Sequence, residues 1–243
     1  RVSPAEKPVT RPEVMQRLKE ITVDPKTVSL APKVEASAIP TPVADLGTFT
    51  VAYKGTLSVQ GRDLPFTVAR EVVEDGGQWR IQETMAMGMM GETKQSVGLE
   101  KGTLKLRKLG VKQGPVAIDL AFGGGKVVGS IAMGGEPKAL SLPLDVDLYG
   151  DHEEALARLP LADGYTVVLR SFDVQKQKLA LKRVKVSGVE DVKGQKAWRV
   201  EVASAEGEPG GQTLWIAQEG RRVLKTQTVM PQMGNATLTT ELQ

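Results

Sequence analysis

The sequence predicts a mainly β protein: one large curved antiparallel sheet, or open half-barrel, of about eleven to thirteen strands with one or two short helices. Three observations carry that expectation. From Gly47 onward apolar side chains recur at every second position, the period of a half-buried strand. Turn signals rich in glycine break the alternation at short intervals. Aromatic residues are only 4% of the chain and glycines number 26, so the strands must be built from Val, Leu, Thr and Ala.

The composition divides the 243 residues unevenly. Residues 1–46 hold seven of the 14 prolines (Pro4, Pro8, Pro12, Pro25, Pro32, Pro40 and Pro42) and no glycine. Within this leader, Thr10, Pro12 and Glu13 form a helix start, and Val14, Leu18 and Ile21 follow at helical spacing. The stretch from Asp24 to Pro42 reads as an extended linker, because proline fixes φ and removes N–H donors. The predicted organisation is therefore a Pro-rich leader with a short helix over 1–46 and a single curved β domain over 47–243.

The first strand places Phe49, Val51, Tyr53, Leu57 and Val59 on one face and Thr50, Lys54, Thr56, Ser58 and Gln60 on the other. Similar alternation runs through Leu64, Phe66 and Val68, then Trp79 and Ile81, Leu104 and Leu106, and Val116, Ile118, Leu120 and Phe122. Turns fall at Gly61-Arg62-Asp63, Asp75-Gly76-Gly77, Lys101-Gly102, Gly114-Pro115 and Gly123-Gly124-Gly125. A helix of about two or three turns is expected over 151–159, with Asp151 and Glu154 as a capping box and Ala155, Leu156 and Leu159 as its apolar stripe. Strands resume over 165–174, 179–186, 197–202, 213–217, 223–230 and 236–242. The pattern is an antiparallel meander.

Chemistry is constrained by what the chain lacks. A single histidine and no cysteine leave no set of ligands for a zinc centre. His152-Glu153-Glu154 has no second histidine at zincin spacing and reads as the exposed first turn of a capped helix. No Gly-x-Ser-x-Gly elbow accompanies that histidine, so a serine triad is not expected. Gly123-Gly124-Gly125-Lys126 fails the phosphate-loop pattern and reads as a hairpin turn. Asp145 and Asp147 fall two apart, on one face of a strand, and read as solvated residues; with Glu83 they are examples of the carboxylates an enzyme would use. Net charge is +3 with Lys and Arg spread along the chain, without the basic stripe and stacking aromatics of a nucleic-acid surface. No run approaches the roughly 18–20 apolar residues of a membrane helix. No cofactor is implied.

Met85-Ala86-Met87-Gly88-Met89-Met90 is the most unusual local feature. Period-two geometry sends Met85, Met87 and Met89 to the side of Trp79 and Ile81, with Ala86 and Gly88 opposite. Methionine fills cores, adapts to varied apolar partners, and as a thioether can ligate Cu(I), though no Cys or nearby His supports copper here. The candidate ligand-binding set is Trp79, Ile81, Met85, Met87, Met89, Leu120 and Phe122.

Three features of the C-terminal third carry a family likeness: Leu159-Pro160-Leu161 with Gly164 before a strand, Val186, Gly188 and Glu190 at a turn, and Thr213 to Ile216 before the basic pair Arg221-Arg222. Over roughly residues 155–242 the chain resembles a bacterial periplasmic family of unknown function. That family's sheet is similar to those of the lipoprotein carriers and the lipid-binding envelope lipoproteins. The resemblance implies a strongly curved antiparallel sheet whose concave side holds acyl chains or another apolar surface. The chain departs from the carriers in lacking their set of covering helices and a lipobox cysteine.

The functional expectation is a non-catalytic periplasmic or secreted module that binds a hydrophobic ligand, such as a lipid or acyl chain, or a polypeptide partner on its concave face. The alternative is an accessory domain of a larger secreted enzyme such as a peptidase, with the Pro-rich leader as tether to an upstream catalytic domain.

Overall fold

The computed structural model describes residues 34–88 and 91–243. The leader helix expected over 12–21, the linker before Val34, and Met89 and Met90 lie outside them. Glu35–Gln243 forms one unit.

Fourteen antiparallel strands build a single open sheet. They are β1 (Phe49–Val59), β2 (Arg62–Asp75), β3 (Gln78–Ala86), β4 (Glu92–Glu100), β5 (Leu106–Gln113), β6 (Val116–Gly123), β7 (Lys126–Met133) and β8 (Lys138–Pro143), followed by β9 (Thr166–Asp173), β10 (Lys178–Val192), β11 (Gln195–Ser204), β12 (Gly211–Ala217), β13 (Val223–Met230) and β14 (Ala236–Leu242). Sequence neighbours pair everywhere except at two places. β1 pairs with β14, through Tyr53 opposite Leu242 and Leu57 opposite Leu238, and β8 and β9 are left as the two edges. The sheet is thus two meanders, β1–β8 and β9–β14, joined side by side at its middle.

The expected face of β1 is the inward one, with Tyr53 and Leu57 buried. Register carries that face around the sheet: Val68 opposite Tyr53, Ile81 opposite Val72, Val97 opposite Ile81, Leu120 opposite Leu109 and Val127 opposite Phe122. Register shifts at Gly98/Leu99, Val186/Gly188 and Trp215/Ile216 mark bulges, which add twist and bend a wide sheet. The curl brings the two halves together, so that Phe122 of β6 meets Phe172 of β9 edge-on with ring centroids 5.7 Å apart. At the expected hairpin, Gly124 and Gly125 take φ of 60° and 74°, which the β6–β7 turn requires.

The crossover from β8 to β9 runs inside this curl and fills part of it. Leu144, Leu148, Tyr149, Ala155, Leu156, Ala157, Leu159 and Leu161 all join the main core with Trp79, Ile81, Leu99, Leu120 and Phe122. Backbone bonds stitch it to the sheet, Leu106 N–H donating to Leu148 O at 2.8 Å and Gly150 N–H to Leu104 O at 2.9 Å. The crossover passes close to the sheet at Gly150, where a Cβ would lie 2.5 Å from the end of the Leu99 side chain and 3.2 Å from both Ala155 Cβ and the Leu104 carbonyl oxygen. Each large apolar side chain that this plug buries, Leu156 and Leu159 among them, contributes about 1.5–3 kcal/mol.

Three local expectations change. The helix is only α1 (Glu153–Leu156), and its N-cap is His152, whose Nδ1 accepts from Glu154 N–H at 3.2 Å. Asp151 does not cap because Ser171 and Lys182 hold its carboxylate, at 2.7 and 2.6 Å. The first turn is not exposed, Glu154 being buried and the His152 side chain 6% accessible. Asp145 and Asp147 lie in the crossover rather than on a strand, and Asp147 holds Lys105 and Arg107 at 2.7 and 3.0 Å.

Residues 35–46 lie along the sheet. Ser37 and Val168 of the β9 edge exchange two hydrogen bonds, of 2.8 and 3.0 Å, and Val43 N–H donates to Arg158 O. Trp79 Nε1–H donates to Asp45 Oδ1 at 2.6 Å. Among the described residues, no helix is long and apolar enough to cross a membrane.

Candidate functional site

The alternation of β2 puts Phe66, Val68, Arg70 and Val72 on the inward face, so a guanidinium stands where a strand of this kind normally presents an aliphatic group. Arg70 is 3% exposed. An isolated buried cation would be strongly unfavourable, and three carboxylates converge on it. Glu83, its cross-strand partner on β3, lies at 2.7 Å; Glu153 and Glu154 of α1 lie at 2.5 and 2.7 Å. Tyr53 completes the cluster, accepting from Arg70 at 3.2 Å while its hydroxyl donates to Val223 O at 3.2 Å. The planar five-donor fork of arginine is what lets one side chain hold the plug helix and two strands together.

Beside this cluster, Lys182 of β10 pairs with Asp151, and Gln212 of β12 donates to Glu153 at 2.7 Å. Protonation follows from these contacts. Burial pushes the Glu83 carboxyl above its ordinary range, outweighing the pull of Arg70. Burial works in the same sense on Glu153, but Arg70, His152 and the bond from Gln212 hold that carboxyl below the ordinary range. Asp151 is likewise held low against burial by Lys182 and Ser171. Burial, and then the positive field of Arg70, bring His152 down to about 4, so its imidazole is neutral at physiological pH. Its Nε2 lies 4.0 Å from Glu83, which for a neutral ring is no ion pair.

The charged groups border a cavity of about 360 Å³ inside the curl. Glu83, Gln95, His152, Glu153, Lys182 and Gln212 line it together with Val97, Leu106, Leu109, Val111 and Phe172, and Glu83, Gln95 and Val111 are cross-strand neighbours on one face of β3, β4 and β5. Phe172, Lys182 and Gln212 also border a second cavity, of about 450 Å³, reaching the loop at Glu208–Gly211. Both volumes fall in the roughly 300–1,000 Å³ range of small-molecule sites.

The residues expected to bind ligand fall in different places. Trp79, Ile81, Leu120 and Phe122 belong to the main core, beneath the plug, and Phe122 also borders a separate cavity of about 240 Å³ with Leu144 and Leu148. Met85 and Met87 are half-buried against a second cluster of Tyr53, Leu57, Phe66 and Val68. Met89 lies outside the described residues. The concave face is therefore not one continuous apolar lining: a charged band of Arg70 and Glu83 separates the core around Ile81 from the cluster around Met85. The band has a signal in the sequence, namely charged residues at inward positions of otherwise apolar alternation: Arg70 between Val68 and Val72, Glu83 between Ile81 and Met85, Lys182 before Val184.

Chemically, the polar groups bordering the cavity are committed to one another. His152 caps α1 through Nδ1, the Ser171 hydroxyl is engaged by Asp151, and Lys182 by the same carboxylate. Among the described residues, no group of three His, Asp or Glu side chains is arranged to hold a metal ion.

No protein-family model and no curated protein matches the chain. Two solved structures resemble it. One is a β-barrel-like protein of the domain of unknown function DUF1849 from Brucella abortus, 15% identical over 82% of this chain and 97% of that one, with a TM-score of 0.49. The other is a DUF1329 family protein from Desulfovibrio piger, 11% identical over 80% of this chain and 82% of that one, with a TM-score of 0.27.

Proposed function

We propose that the chain is a non-catalytic binding module of the bacterial envelope or of the secreted protein set, which takes a small amphiphile into the curl of its sheet. The observation that carries this reading is a cavity lined together by apolar Val97, Leu109, Val111 and Phe172 and by polar Glu83, His152 and Lys182. Ligand sites combine apolar surface with placed polar groups that fix orientation, and this cavity offers both, with the polar surface the larger share. A non-catalytic role is supported by the pairing of Asp151 with Ser171 and of Glu153 and Glu154 with Arg70, which occupies these three carboxylates in holding the plug.

The test is saturable binding of an environment-sensitive acyl fluorophore to the full chain, compared with Val111→Trp, which fills the cavity from its β5 wall. The expected result is binding by the parent chain and loss of at least about tenfold in affinity in the variant. No saturable binding to the parent chain, or equal binding by both proteins, refutes the reading.

A further inference from the structure

Among the described residues two arginines are buried, and their charges are met in opposite ways. Arg70 has three carboxylates around it, whereas Arg158, 8% exposed, bonds only to backbone carbonyls. Its Nη1–H donates to Arg221 O at 2.8 Å and its Nε–H to Asp45 O at 3.4 Å. Arg221, half-buried in the β12–β13 turn, returns the contact: its Nη1–H donates to Leu159 O at 2.6 Å and to Ala157 O at 3.3 Å. The two guanidiniums stand close enough that burial, and then the charge of Arg158, hold Arg221 below the ordinary arginine value. Neighbouring carboxylates are turned elsewhere. Asp45 accepts from Leu46 N–H, Trp79 Nε1–H and Gly102 N–H, and Glu219, in the same turn as Arg221, is exposed and pairs with neither arginine. Holding the crossover to this turn requires donors but not charge, since amide side chains would serve the same carbonyls without setting two like charges together. Three nitrogens are also left over: Arg158 Nη2 and Arg221 Nε and Nη2 bond to nothing among the described residues. No buried side-chain nitrogen there lacks a partner, so these three reach solvent.

We propose that Arg158 and Arg221 form a receptor for a phosphate group, as a monoester or as inorganic phosphate, where the crossover meets the β12–β13 turn. Two charges without counter-charges match a dianion, and the planar guanidinium fork presents N–H donors to the oxygens of one tetrahedral group. A monocarboxylate neutralises half of that charge and brings one oxygen fewer. This receptor shares no residue with the cavity bordered by Glu83 and Lys182, so it stands independently of the amphiphile reading.

The experiment is titration calorimetry of the full chain with inorganic phosphate, methyl phosphate and acetate, at constant ionic strength and slightly alkaline pH, where the phosphates are doubly ionised. Both phosphates are expected to bind one to one and at least about tenfold tighter than acetate. Arg221→Gln keeps an amide donor for the crossover carbonyls and removes one charge, and is expected to lose at least about tenfold in phosphate affinity. Arg158→Gln tests the other half; if it fails to fold, the half-buried Arg221 alone decides. A second measurement needs no calorimeter: the urea midpoint of the parent chain should rise saturably with phosphate at constant ionic strength, and that of Arg221→Gln should not. Vesicles of phosphatidylcholine with and without phosphatidic acid assign the source. Retention on phosphatidic acid that Arg221→Gln abolishes places the phosphate on a lipid, and indifference to it alongside methyl phosphate binding places it on a soluble molecule. No saturable phosphate binding, acetate bound as tightly as phosphate, or phosphate affinity unchanged by Arg221→Gln overturns the receptor and leaves the pair a purely structural clasp.

Discussion

Replacing Arg70 by leucine removes the cation on which one buried and two half-buried carboxylates, Glu154, Glu83 and Glu153, converge at 2.7, 2.7 and 2.5 Å, and leaves a side chain of similar bulk in its place. Breaking a buried ion pair by deleting one partner typically costs about 3–5 kcal/mol, because the remaining charge stays buried without compensation. For a unit of this size that corresponds to a fall in Tm of roughly 6–20 °C. The loss should depend on pH, and the direction follows from the carboxylates. In the parent chain Arg70 is the largest influence holding Glu153 below its ordinary range against burial; in Arg70→Leu that opposition is gone and only the weaker pull of His152 and the Gln212 bond remains, so the folded-state values rise above the unfolded ones. The penalty is then full above those raised values and shrinks as pH falls through them. Urea unfolding followed by the fluorescence of the three tryptophans, at neutral pH and again in acid, measures both quantities. Adding Glu83→Gln, Glu153→Gln and Glu154→Gln to Arg70→Leu removes the stranded charges and should recover most of the loss. A loss below about 1 kcal/mol, or one of equal size at both pH values, would show that the charged band does not clamp the plug.

Two further stability predictions come from single positions. His152, neutral in the fold with a value near 4 against an ordinary 6.5, contributes stability that is fully present above 6.5 and is lost as pH falls from there toward 4. The amount is on the order of 3 kcal/mol at about 1.4 per pH unit, and urea midpoints across that window should fall steeply in the parent chain and less in His152→Asn. Gly129 takes φ +152°, and a Cβ there would lie 1.9 Å from the Asp119 carbonyl oxygen, so Gly129→Ala should cost at least about 2 kcal/mol in the same assay. Gly135→Ala, where a Cβ meets nothing within 4 Å, should stay within about 0.5 kcal/mol of the parent.

The strands that could be read from the sequence are those whose inward positions are almost all aliphatic, such as β1 with Val51, Tyr53 and Leu57, and β6 with Ile118, Leu120 and Phe122. The count came out low because β4, β7 and β8 interrupt that rhythm. β4 turns Thr93 and Gln95 inward before Val97, β7 has Gly129 between Val127 and Ile131, and β8 is six residues long. Polar and glycine positions of this kind exist because something other than a side-chain core occupies the space opposite them: cavity at Gln95, and a neighbouring backbone at Gly129. The site was illegible for a related reason. Which residues face a cavity depends on where the crossover folds back, and its path is fixed by contacts distant in sequence, such as Arg70 to Glu154 and Arg221 to Leu159. An apolar strand looks the same in sequence whether its face meets a ligand or the chain's own plug, so Trp79 and Ile81, which meet the plug, cannot be told in sequence from Met85 and Met87, which do not.

The pairing of β1 with β14 bears on the order in which the molecule assembles. Every other strand contact joins sequence neighbours and can zip locally, whereas this one closes a loop spanning almost the entire unit. Two half-sheets can therefore form early and independently, each with a raw margin of unsatisfied amide groups, and the seam between them can be sewn only after residues 236–242 have been synthesised. A nascent chain arrested just short of that segment would hold two exposed margins side by side, and chaperone dependence should peak at that length.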